Sequence, residues 1–225
     1  MARTLITFSG IDGAGKSTQI EKLREYLNAQ NIPVEILTFW DNVVVLPSLR
    51  AGFSRKVLQS DGQVGTPDKP ATRNDKNRQS LPLIAGRSLL HLLDVLQLRR
   101  IARRARFSQA TGVVIFDRYI YDQLAALPLQ QWWAKAYARL ILSLAPKPDL
   151  SYVLDAVPEE ARARKPEYPL EFMRQYRNSY LELRQLAHLS LINPGAPDDV
   201  HAAIVGRLKH AFDSPQATVD STVAA

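Results

Sequence analysis

Hydrophobic and polar positions follow two rhythms along the chain. A short, mostly apolar, β-branched run at Thr4–Phe8 reads as a buried strand, and Val34–Phe39, Thr111–Phe116, Leu150–Leu154 and Leu189–Asn193 read as four more strands. Between them, apolar residues three and four apart predict helices. Ile20, Leu23 and Leu27 share one face of a helix that begins at Ser17 and ends near Asn28–Asn31, before Pro33 blocks continuation. Leu81–Phe107 is helical in period, with Leu89, Leu92, Leu93 and Leu96 as its expected core stripe. Gln130–Leu144 predicts a helix stopped by Pro146 and Pro148, with Trp132 and Trp133 as core or interface residues. Glu160–Arg164 predicts a short basic helix and Leu170–His188 a longer amphipathic one. Pro197–Phe212 predicts the last, with Pro197 suited to its first turn. Strands alternating with helices predict a doubly wound α/β domain, a five-stranded parallel sheet with helices on both faces.

Two stretches break the rhythm. Asn42–Phe53 fits neither period. Residues 61–80 contain one aliphatic side chain larger than alanine, Val64, which is too little apolar surface to order the segment. A flexible insertion is therefore expected there, either a surface loop or a flap over a substrate. It interrupts a single domain spanning 1–212, and the small, polar 213–225 reads as a disordered tail.

Composition narrows the chemistry. The 225 residues include no cysteine, which excludes disulfides, thiolate metal sites and cysteine nucleophiles. No apolar run reaches the roughly 18 residues that span a membrane. The start, MARTLITFSGIDG, lacks the pattern of a signal peptide, so a cytoplasmic location without membrane attachment is the expectation. The net charge of +7 suits either solubility or an anionic partner. Arg99, Arg100, Arg103, Arg104 and Arg106 crowd one helix. They form a solvated face, a contact for nucleic acid or membrane, or cations for a phosphate-bearing substrate. No aromatic interleaving accompanies them, so nucleic acid is not the expected partner.

The strongest motif is Gly10-Ile11-Asp12-Gly13-Ala14-Gly15-Lys16-Ser17, a complete G-x-x-x-x-G-K-[ST] between a buried strand and a helix. Its glycines turn backbone N–H groups inward as an anion nest at a helix N-terminus. Residues Gly10, Ile11, Asp12, Gly13, Ala14, Gly15, Lys16, Ser17 and Thr18 are thus the candidate ATP cradle. Lys16 would reach the outer phosphates, and the Ser17 hydroxyl would ligate Mg²⁺. The chain lacks the Asn-Lys-x-Asp guanine-reading motif, and Asp117 is followed by Arg118 and Tyr119 rather than by a second acid. A Ras-type GTPase and an AAA or ABC ATPase are thereby disfavoured.

Phe8–Gln19, FSGIDGAGKSTQ, resembles the thymidylate kinase family, whose loop typically reads FEGIDGAGKTTQ. Phe116-Asp117-Arg118-Tyr119 is similar to that family's Asp-Arg-Tyr, and Pro148-Asp149-Leu150 through Asp155, then Pro158-Glu159-Glu160-Ala161-Arg162, to the segment leading into its basic lid. Asp199-Val200-His201 with Ile204 is similar to its last helix. The resemblance implies a P-loop kinase fold with a short lid, and transfer of the ATP γ-phosphoryl to a nucleoside monophosphate such as dTMP. It also implies a homodimer. It assigns the hydrated Mg²⁺ to Asp117 beside Ser17, the acceptor phosphate to Arg118, and the acceptor sugar to Asp12. Because Ala14 occupies the loop position where some members carry arginine, the lid would supply the cation facing the transferred group, from Arg162, Arg164 or Lys165.

The departures lie on the acceptor side. The family's Arg-Glu-Pro-Gly-Gly is replaced by Trp40-Asp41-Asn42-Val43, with no arginine until Arg50. In Leu93-Asp94-Val95-Leu96-Gln97 the family arginine position holds Val95, while Gln97 keeps its place as a candidate acceptor contact. Ser9 stands for the loop glutamate. Two missing cations predict a weakened KM for dTMP or another acceptor, unless Arg87, Arg99, Arg100, Arg73 or Arg78 substitutes. The rival readings are a P-loop kinase of a sugar or other small metabolite, and a nucleotide-binding protein without turnover.

Overall fold

Five parallel strands form one sheet: β1 (Thr4–Ser9), β2 (Val34–Thr38), β3 (Val113–Asp117), β4 (Leu150–Leu154) and β5 (Ser190–Ile192), in the order β2-β3-β1-β4-β5. The computed structural model describes residues 3–45, 81–108 and 112–213, with the side chains of 81–88 excepted. The expected insertion at 61–80, residues 46–53 of the ambiguous stretch, the tail beyond 213, and Arg50, Arg73, Arg78 and the Arg87 side chain lie outside the described residues.

The strand order reverses at β1, so its carboxyl end opens a crevice between those of β3 and β4. Ligands of doubly wound sheets bind at such a switch point. The glycine loop fills it, between β1 and α1 (Lys16–Asn28).

Alternation along β1 builds two cores. Leu5 faces one layer; Ile6 and Phe8 face the other. The second layer holds Ile20, Leu23 and Leu27 of α1 against Ile204, Val205 and Leu208 of the last helix, α7 (Pro197–Asp213). The first is covered by α2 (Leu81–Arg106), α3 (Ile120–Leu124), α4 (Trp132–Leu144) and α6 (Leu170–Ala187). The short α5 (Pro158–Arg164) lies between β4 and α6.

One expectation is corrected, one is narrowed, and one stretch without a prediction gains a structure. Leu89 and Leu96 are 59% and 51% exposed, so they do not form the core stripe. Val95, Leu98, Ala102 and Ala105 are buried instead. Leucines ring this helix on more than one side, and the face with small residues lets it approach the sheet. Trp132 is 79% exposed rather than in the core, because Ala134, Ala138 and Ile141 form the buried face of α4. Asn42 and Val43, at the start of the ambiguous segment, lie in a π-helical turn, Phe39–Val43, in which Asn42 Oδ1 accepts the Thr38 N–H at 2.7 Å and Phe39 and Val43 are buried. Among the described residues, no helix is long and apolar enough to cross a membrane.

Candidate active site

The glycine loop is built against its neighbours. Gly10 has φ 140°, and a Cβ there would strike the Leu154 carbonyl of β4. A Cβ on Gly13, at φ 81°, would strike the Ala161 carbonyl of α5. Both obstacles are backbone, so neither position admits a side chain without moving β4 or α5. Gly15, at φ 85°, turns the chain into α1, whose first turn has no side-chain cap and no acidic residue. Ser17 and Thr18 are exposed there. Uncapped N–H groups at a helix N-terminus suit an anion.

Lys16 is buried, and its Nζ donates to the carbonyls of Gly10 and Ile11 at 2.9 Å each. Burial, helped by the charge of Arg118, pushes the ammonium down to about 8, against the pull of Asp122, Asp12 and Asp117. A polyphosphate arriving at the loop favours the charged form and raises this value. Binding then takes up a proton above pH 8, so ATP affinity is expected to be flat below pH 8 and to weaken with each further unit, by up to about tenfold per unit. Titration calorimetry of ATP at pH 7 to 9.5 in two buffers of different ionisation enthalpy checks both affinity and proton uptake.

Arg118, the candidate contact for the acceptor phosphate, follows β3 in a left-handed conformation, φ 69°, and its N–H donates to the Phe8 carbonyl at 2.9 Å. This costs strain for a non-glycine residue and turns the side chain toward the glycine loop. Its guanidinium pairs with Asp12 at 2.5 Å and with Asp122 at 3.2 Å. Its own burial opposes the charge, but Asp122 and Asp12 outweigh that and raise its pKa. Burial pushes the Asp12 carboxyl up, yet Arg118 and Lys16 hold it below the usual range. Asp117 is raised, because burial there outweighs Arg118 and Lys16.

Of the remaining acceptor candidates, Gln97 is half-buried on α2, and the hydrogen bonds of Asp12 and Arg118 go to each other and to Asp122 rather than to it. Val95 is buried in the main core. The polar link from α2 is Asp94, fully buried, which accepts the Val45 N–H at 2.8 Å and Gln123 Nε2 at 2.6 Å. Asp94, Asp122 and Gln123 were not among the sequence candidates. Asp122 lies four residues after Arg118, a helical ion-pair spacing that could have flagged it.

The lid helix α5 reaches back to the loop. Arg164 Nε donates to the Gly13 carbonyl at 3.0 Å. Arg162 Nε is buried with no hydrogen-bond partner among the described residues. Lys165 pairs with Glu167 at 3.2 Å. The base of the lid is tied down by Arg177, which grips Asp155 through two 2.6 Å bonds, and by Arg174 on Glu159. In the basic run, Arg106 binds Asp149 and the Lys147 carbonyl, both at 3.0 Å, while Arg100, Arg103 and Arg104 are exposed.

The chain is 30% identical over 234 aligned positions to the thymidylate kinase of Chlorobium chlorochromatii, covering 91% of this chain and 94% of that one. The chain belongs to the thymidylate kinase family. The probable thymidylate kinase of Pyrococcus abyssi is 28% identical over 219 positions, covering 91% of this chain and 95% of its own length. No family model matches. Among solved structures, the thymidylate kinases of Ehrlichia chaffeensis and Candida albicans share the fold at 18% identity, with TM-scores of 0.58 and 0.59. They cover 93% and 94% of this chain, and 99% and 93% of their own. The sheet order and glycine loop described above are thus those of a thymidylate kinase-like P-loop kinase.

Proposed function

We propose that the chain transfers the γ-phosphoryl of ATP to dTMP, giving ADP and dTDP. The observation that carries this reading is Arg118, bent out of β3 by a left-handed turn and ion-paired to Asp12 of the glycine loop. A monophosphate held there lies beside the donor site. An oxygen of the acceptor phosphate attacks the γ-phosphorus, and the bond from that phosphorus to the β–γ bridging oxygen breaks, leaving ADP. Such transfer depends on positioning and charge neutralisation. Lys16 meets the outer phosphates, Asp12 leaves Arg118 for the acceptor sugar, and Arg162 or Arg164 meets the transferred group.

Ser17 and Asp117 fit a Mg²⁺ ion, being a hydroxyl and a carboxylate at the mouth of the loop. Among the described residues no cluster of three or more His, Cys, Asp or Glu could hold a metal alone. A two-oxygen site suits an ion held otherwise by water and nucleotide phosphates. When bound, it neutralises charge on the phosphates.

The acceptor and Mg²⁺ assignments predict that Mg·ATP supports turnover of dTMP and not of phosphate-free thymidine. Unless Arg87, Arg99, Arg100, Arg73 or Arg78 takes their place, the two cations missing from the family pattern, each worth about 1.5–3 kcal/mol, are expected to weaken the KM for dTMP by two orders of magnitude or more. A coupled ADP-release assay across nucleoside monophosphates, thymidine and simple sugars checks this. Preference for a phosphate-free acceptor would overturn the reading. Two copies are proposed to pair through Leu89, Leu96 and Leu140, exposed on the packed helices α2 and α4. The proposed location is the cytoplasm, with its nucleotide pools.

A further inference from the structure

The Asp122 carboxylate, which the reaction above does not use, is buried and fully hydrogen-bonded. Its side chain has no exposure. Oδ1 accepts from Tyr180 at 2.7 Å and from Arg118 Nη1 at 3.2 Å. Oδ2 accepts from Ser9 at 2.6 Å and from the Tyr119 N–H at 3.1 Å. Four donors thus fill the roughly four acceptor positions of a carboxylate. Its backbone carbonyl takes a further bond from Tyr176 at 2.6 Å. A fully buried charge is costly unless paired and hydrogen-bonded, and here it is both. No acceptor position is left over for substrate.

Arg118 is the one cationic donor of the four and the one that also reaches the loop, through Asp12. Its left-handed backbone makes the direction of its side chain a matter of what holds it. Ser9 closes the argument. It stands where the resembled loop carries glutamate, and its hydroxyl touches Asp122. The end of β1 and the first turn of α3 therefore share one slot beside Arg118.

We infer that Asp122 is a positioning residue for the acceptor phosphate: it supplies from α3 the carboxylate that its relatives' loop would supply from β1, and so aims Arg118. The inference rests on the role given to Arg118 above. Asp122→Asn keeps the volume but removes the charge and turns one acceptor into a donor. The acceptor KM is expected to rise about 10- to 100-fold, with the KM for ATP unchanged within about twofold. Tyr152→Phe serves as the stability control. It removes a buried hydroxyl bonded to the Ile204 carbonyl in the opposite core, and it should leave both KM values unchanged.

A second variant guards against loss of folding. Ser9→Glu with Asp122→Ser moves the carboxylate across the slot, and its acceptor KM should lie within about fivefold of wild type, well below that of Asp122→Ser alone. The assay uses the monophosphate that the wild-type chain phosphorylates fastest. A fault in the acceptor assignment then shows in the wild type, and a fault in the role of Asp122 shows in the variants alone. Equal rises in both KM values for Asp122→Asn, or a folded swap variant as weak for acceptor as Asp122→Ser, would overturn the inference.

Discussion

Lys16→Ala is expected to reduce phosphoryl transfer by about 10³-fold or more while the chain stays folded. The lysine sits at the hinge of both functions of the loop. Its ammonium is turned inward, bonded to the Gly10 and Ile11 carbonyls. With phosphate bound, the same ammonium is expected to meet charge on the outer phosphates. The two roles differ in stability. The buried ammonium has its pKa lowered from 10.5 to about 8, so burial costs about 3 kcal/mol below pH 8 and the cost fades as pH rises toward 10.5. Alanine removes that cost and loses two hydrogen bonds worth about 1 kcal/mol each. The melting temperature at pH 7 should therefore hold or rise as turnover collapses. Single-turnover kinetics beside a thermal melt separate the two effects. Near-normal turnover would sink the kinase reading of the loop.

Legibility followed the range of the forces involved. β4 runs over Leu150–Leu154 as predicted, because Tyr152 and Leu154 are buried in one core layer and Val153 in the other. The helix α2 was legible as a helix, but which of its leucine stripes meets the sheet depends on how closely two elements can approach. That is decided by Ala102 and Ala105, which look unremarkable in isolation. The five-residue α3 is too short to display a period. Its importance comes from Asp122, whose partner Ser9 lies 113 residues away and whose partner Tyr180 lies 58 away. The glycine loop was readable because its chemistry is local: every candidate group of the cradle lies in the consecutive run Gly10–Thr18. On the other side of the loop Asp12 and Arg118 were named through the family resemblance, but Asp122 and Asp94 were not, since their partners Ser9, Tyr180, Val45 and Gln123 are brought to them only by the fold. The replacement of Arg-Glu-Pro-Gly-Gly by Trp40–Val43 also gains a physical account. That stretch is spent on a π-helical turn pinned by Asn42 and buried through Phe39 and Val43.

The lid arginines are expected to matter for rate more than for nucleotide affinity, and unequally. Ala14 leaves the loop without a cation of its own at that position, so charge on the group in flight must be met from α5. Gly13 against the Ala161 carbonyl and Arg164 on the Gly13 carbonyl hold that helix over the loop. Arg164 thus already has a task as a latch. Arg162 has a buried Nε–H with no protein partner among the described residues, an arrangement that costs free energy until an acceptor arrives. A phosphate oxygen is the natural one, since guanidinium recognises phosphate with paired donors. Removing an interaction realised mainly in the transition state lowers kcat and leaves KM little changed. Arg162→Ala with Arg164→Ala should therefore reduce kcat by about 10³-fold, with the ATP KM moving only a few-fold. Of the single variants, Arg162→Ala should carry most of the kcat loss, and Arg164→Ala should show more in ATP affinity because it frees the lid from Gly13. Steady-state kinetics on the three variants, with ATP and acceptor varied separately, decide the matter. A double variant that keeps its kcat and changes KM alone would remove the lid from the chemistry and leave Lys16 and Arg118 to neutralise the transferred group between them.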